Sequence, residues 1–229
     1  MAVCGATVPS KALSGDDFYG PLIASQAMVS FFWNTYGFKD SSAAATWKNG
    51  WGYEDPYNTD LPLARTFTAL YALTYSAPDW QNDSYTSTML NFARRYVREN
   101  IDDLRARCGD GTAAAHSFYG PLYDDRVELY KGYWYTSVVV ERASTLLHEA
   151  RHMGGKSHNA SFPPWSVYSG SGADTNWAYD GAWAYDTNYL WWFSSHGTNT
   201  TSGMKNIAKQ LGNFMIQNCF ATRPPFVIV

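Results

Sequence analysis

The sequence predicts a mainly α fold, α+β at most through a small sheet, in a single domain built around one central helix. Apolar residues recur at helical spacing along most of the chain, and only residues 127–135 alternate as a strand does. No low-complexity linker divides the 229 residues, a length that one large domain accommodates.

The elements follow in order. Phe18 to Leu22 reads as a turn. Residues 23–36 place Ile23, Ala27, Met28 and Phe31 on one helical face, and Gly37 stops the helix. Residues 41–57, rich in Trp, Gly and Asn, read as loop. Asp60 caps a helix with Pro62 in its first turn, which ends before Pro78. Ser84 or Thr86 starts the next, with Leu90, Ala93, Val97, Ile101 and Leu104 on its apolar face and Arg94, Arg95 and Arg98 on the polar one. Residues 127–135 suit a short strand. The central helix spans residues 136–153, with a buried stripe of Val139, Ala143, Leu146, Leu147 and Ala150. Residues 162–172 read as loop, 183–193 as a segment dense in Trp and Tyr, and Ser202 caps a last helix. The pentapeptide Phe-Tyr-Gly-Pro-Leu occurs at 18 and again at 118, with unmatched flanks that speak for coincidence.

Composition narrows the function. Charged residues are only 16% and aromatics reach 17%, which gives a surface of Ser, Thr, Asn, Gly and Tyr and fits a secreted or extracytoplasmic protein. The net charge is −3 with no basic run, so a nucleic-acid partner is not expected. No apolar run is long enough for a transmembrane segment. The three cysteines are far apart in sequence, which leaves no metal knuckle, and Cys108–Cys219 is one possible disulfide beside three free thiols.

The most specific chemistry lies at residues 146–158, which hold three of the five histidines. His148-Glu149-Ala150-Arg151-His152 reads H-E-x-x-H, and His158 extends it to H-E-x-x-H-x-x-G-x-x-H. On a helix, His148 and His152 project from one face a turn apart, as two imidazoles on one ion require. Glu141 and Thr145 share that face. Gly154-Gly155 breaks the helix and lets His158 return to the same point. No Glu follows Glu149 in the chain, so the remaining candidates for a third ligand are His158, Asp174, Asp180 and His196, of which His158 is preferred. His116 and His196 are otherwise structural, or stand near the reaction.

The motif resembles that of the zincin metallopeptidases, in its metzincin form. That resemblance implies a catalytic Zn2+ held by His148, His152 and His158. It implies Glu149 as the general base of a zinc-dependent hydrolase, most simply a metallopeptidase using metal-activated water on a peptide or small-molecule substrate. It also implies a methionine turn beneath the metal, for which Met204 is the candidate by position. Tyr185, then Tyr179, is the expected oxyanion stabiliser. Asp180 or Asp186 is expected to hold a ligand histidine by its second nitrogen, and Arg151 to form a salt bridge or cap. Two other classes stay open: a metal enzyme using zinc, iron or copper for non-hydrolytic chemistry on a small molecule, and an aromatic-rich binding module with a structural metal.

Overall fold

A computed structural model describes residues 2–4, 6–7, 26–82, 88–109, 113–121 and 124–229. The turn at Phe18–Leu22, the helix start at Ile23, the caps Ser84 and Thr86, and the end of the second pentapeptide lie outside them. The fold is mainly α, with small sheets only. The helices are α1 (Gln26–Thr35), α2 (Ser41–Thr46), α3 (Pro62–Tyr75), α4 (Met89–Asn100), α5 (Lys131–Tyr135), α6 (Val139–Met153), α7 (Ala182–His196) and α8 (Ser202–Asn218). The strands are β1 (Ala2–Val3), β2 (Ala6–Thr7), β3 (Leu104–Ala106), β4 (Ala115–Phe118), β5 (Arg126–Leu129), β6 (Ala160–Ser161) and β7 (Ser171–Ala173).

The central helix α6 is buried on nearly every side, from Val139 to Ala150. It packs against α3, α4, α7 and α8 and against β4. Such a helix needs apolar residues all round, and its polar exceptions therefore have a role or a partner. Arg142 is one: its guanidinium donates to the Ser137 carbonyl at 2.7 Å. The small sheet has the order β3-β5-β4, with β3 parallel and β4 antiparallel to β5. That places β4 at the sheet's edge, above α6.

Several local expectations shift. In α1 the buried residues are Val29 and Phe32, and Phe31 is exposed, because α3 offers Phe67 to Phe32 at a ring distance of 5.7 Å. Asp40 accepts from the Ser42 and Ala43 N–H groups and so starts α2 inside the expected loop. The N-caps of α3 and α8 are Leu61 and Thr201, each one residue from the expected position. α4 ends at Ile101, and Leu104, expected on its apolar face, opens β3. Gly37 causes this. With φ +75°, it passes so close to residues 101–103 that a Cβ would sit 2.9 Å from the Ile101 carbonyl. The expected strand at 127–135 is β5 followed by α5.

The disulfide joins Cys4 to Cys108, not Cys108 to Cys219. Cys108 follows β3 and meets the β1–β2 hairpin, whereas Cys219 is buried as a free thiol at the end of α8. The bridge spans 104 residues, and constraining so long a loop in the unfolded chain stabilises by about 2–5 kcal/mol.

Candidate metal centre

α6 carries His148 and His152 on one face, with ring centroids 4.9 Å apart and Nε2 atoms 3.2 Å apart. Gly155 takes φ +86°, a left-handed conformation that ends the helix and turns the chain back. After this turn the Lys156 carbonyl lies 2.6 Å from His152 Nδ1. His158 then reaches the same point, its ring 5.2 Å from His148 and 4.6 Å from His152. One nitrogen of each histidine lies within 4.8 Å of the other two.

His158 is held from behind. Its Nδ1–H donates to Asp174 Oδ1 at 2.9 Å, and Asp174 Oδ2 accepts the Trp183 backbone N–H at 3.1 Å. Asp174 is fully buried and anchored by its backbone, which bonds the Cys219 carbonyl at 3.1 Å and the Ala221 N–H at 2.8 Å. The Trp183 ring stacks on His158 at 5.6 Å and meets His148 edge-on at 4.4 Å. Its indole N–H donates to the Gly172 carbonyl at 2.7 Å.

This donor set fits a metal ion. Acceptor oxygens at Nδ1 of His152 and His158 keep the proton there and leave the Nε2 lone pairs facing inwards. The 3.2 Å gap between Nε2 of His148 and Nε2 of His152 is bridged either by a proton on His148, whose Nδ1 has no acceptor among the described residues, or by a cation. Two imidazole nitrogens on one tetrahedral zinc stand about 3.3 Å apart, given bonds of about 2.0–2.1 Å. Burial, reinforced by the neighbouring His152, pushes the His148 pKa down to about 3, and burial also lowers that of His152. His148 is therefore neutral near pH 7, and burial favours the neutral form of His152 as well, the form a ligand needs.

No family model, curated protein or solved structure matches this chain.

The triad borders a cleft of 660 Å³ between α6 and β4 on one side and Phe162, Tyr168 and Trp183 on the other. Glu149 lines it, and its Oε2 accepts the Ser117 hydroxyl of β4 at 2.5 Å. The face of α6 expected to carry Glu141, Thr145, His148 and His152 is the face that lines the cleft.

Other expected site residues lie elsewhere. Tyr185 does not line the cleft: Trp183 and Asp186 do, and Tyr185 sits about 100° round the helix from Asp186. Its ring packs on Tyr96 at 5.4 Å beneath the Arg151 guanidinium at 4.3 Å. Tyr179 donates its hydroxyl to the Ser157 carbonyl at 2.7 Å. Asp180 is outside the triad and receives Arg151 at 3.1 Å, the salt bridge expected of that arginine. Asp174 supports a histidine and is not one of the three clustered donors. His116 lines the cleft from β4 outside the triad, and His196 ends α7 beside Trp192. Met204 opens α8, and Met215 is the methionine bordering the cleft. Ser117 carries no linear signal: it stands 32 residues from Glu149, on a strand that the alternation at 127–135 does not reveal.

His148 Nδ1 has no hydrogen-bond partner among the described residues, and the nearest carboxylate is Asp186 Oδ2 at 3.6 Å. Burial raises the Asp186 pKa to about 7, against a smaller opposing effect of Ser144. The two groups have opposite linkages to pH. His148, depressed from 6.5 to about 3, contributes stability above pH 6.5 that is lost as pH falls towards 3. Asp186, raised from 3.8 to about 7, contributes stability below 3.8 that is lost as pH rises towards 7. Each amounts to roughly 3 kcal/mol between pH 6.5 and 4, so they nearly cancel. In metal-free protein these two groups are therefore expected to add little net pH dependence over that window. Asp186→Asn removes one of the two opposing linkages and is expected to lose roughly 3 kcal/mol more than wild type on the same acidification, by urea denaturation. An Asp186→Asn profile parallel to that of wild type would refute the cancellation.

Proposed function

We propose that this chain is a zinc-dependent hydrolase, most simply a metallopeptidase of zincin type. The observation that carries the reading is a carboxylate, Glu149, beside three converging histidines in an open cleft. His148, His152 and His158 would hold the ion. When bound, zinc supplies Lewis acidity, polarising a carbonyl and bringing the pKa of water towards about 7. Glu149 takes the proton of the attacking water and returns it to the leaving amine. Asp174 and the Lys156 carbonyl keep His158 and His152 in the required tautomer and orientation. The described residues supply three clustered donors and no fourth, which favours a catalytic over a closed structural site.

The cleft suits an extended peptide. The bond from the Tyr130 N–H to the Ala114 carbonyl, 2.9 Å, sets the phase of the β4–β5 ladder. His116 and Phe118 therefore turn their backbone groups towards β5, while those of Ala115 and Ser117 face the edge that no described strand covers. Ala115 and Ser117 border the cleft, so a substrate strand can add to β4 across the site, bonded by its main chain. The Cys4–Cys108 bridge supports a secreted or extracytoplasmic location. No helix among the described residues is long and apolar enough to cross a membrane.

The test is metal analysis of protein purified without added metal, followed by cleavage of an unfolded protein substrate. Expected are one zinc per chain, loss of cleavage with a chelator and recovery with zinc. Iron or copper as the native metal, or no cleavage with zinc at full occupancy, would overturn the reading.

A further inference from the structure

We propose that Ser117 is the positioning residue for Glu149, and that it links the base to the strand on which substrate docks. The inference rests on the hydrolase reading for its kinetic consequence. Its structural content stands on contacts within this chain.

Glu149 stands in the middle of α6 and is 5% exposed. A buried carboxylate with free rotamers would spend much of its time aimed away from the cleft. Among the described residues one side-chain hydrogen bond constrains it: the Ser117 hydroxyl donates to Oε2 at 2.5 Å. A hydrogen bond to a charged acceptor is among the stronger kinds. With Oε2 engaged, Oε1 is the oxygen left to take a proton.

The donor's own position is set by the sheet. Ser117 pairs with Val127 in the β4–β5 ladder, and its side chain is buried towards α6. The same residue turns its backbone N–H and carbonyl to the edge of β4 that no described strand covers, since its neighbours His116 and Phe118 use theirs towards β5. One residue thus touches the base through its side chain and borders the docking edge through its main chain. A substrate strand bonded at Ser117 would tighten the segment that holds Glu149, so docking and orientation of the base are coupled.

The test compares Ser117→Ala with Ser117→Thr, which restores the hydroxyl. In crystals of metal-free protein, Glu149 is expected in one rotamer in wild type and in Ser117→Thr, and in several in Ser117→Ala. In zinc-loaded protein, Ser117→Ala is expected to lower kcat about ten- to hundredfold with KM within about twofold. Ser117→Thr recovers most of the loss, and zinc content is unchanged in all three. An unmoved, single Glu149 rotamer in Ser117→Ala overturns the proposal. So does a kcat equal to wild type, or a Ser117→Thr variant as impaired as Ser117→Ala. Absence of hydrolysis by wild type counts against the hydrolase reading alone, and the rotamer comparison then decides the role of Ser117.

Discussion

Under the proposed hydrolase function, Glu149→Gln is expected to keep the metal and to lose peptide hydrolysis by about a hundred- to ten-thousandfold in kcat. Gln preserves the length and volume of the side chain. Its amide oxygen still accepts the Ser117 hydroxyl, so the contact that orients the residue survives. What it lacks is the capacity to take a proton from water. The three histidines and their supporting oxygens are untouched, so metal content should stay at the wild-type stoichiometry, by elemental analysis. KM should change little, because the proposed docking edge of β4 is unaltered. Wild-type turnover in this variant would remove Glu149 from the mechanism.

Asp174→Asn is expected to weaken zinc binding about ten- to hundredfold. Asp174 accepts two N–H donors at once, the His158 ring at 2.9 Å and the Trp183 backbone at 3.1 Å. Asn has one acceptor oxygen, and its amide group must face one of the two donors. A fully buried side chain cannot turn to water to escape that conflict. Either His158 loses the bond that orients it, or the start of α7 shifts and takes the Trp183 ring with it. Competition against a chromogenic chelator measures the change, and circular dichroism checks that the helices persist. An affinity equal to wild type would show that His158 is positioned by its packing on Trp183 and not by this carboxylate.

The helices were legible because their signals are local. The apolar periodicity of α4 and α6, Pro62 at the start of α3 and the Gly-Gly break after Met153 act through residues three or four apart. Boundaries were less so, since Leu104 continues the spacing of α4 while its backbone pairs with Val127 across the sheet. Tyr185 illustrates the same limit. Next to Asp186 in sequence, it needs the helical phase of α7, set by packing on α6 and α8, to be placed against Tyr96 and away from the cleft.

His148, Glu149 and His152 lie within five consecutive positions, so one helix carries all three, and its period of 3.6 residues brings both imidazoles to one face. The sequence by itself also made His158 available, because Gly155 alone in that turn takes the left-handed conformation that reverses the chain. Only the tertiary structure decided what stands behind these residues. Asp174 reaches His158 across 16 positions and Ser117 reaches Glu149 across 32. Such contacts depend on which strand lies at a sheet's edge and how a loop is pinned to α8, and no local pattern of residue types records either.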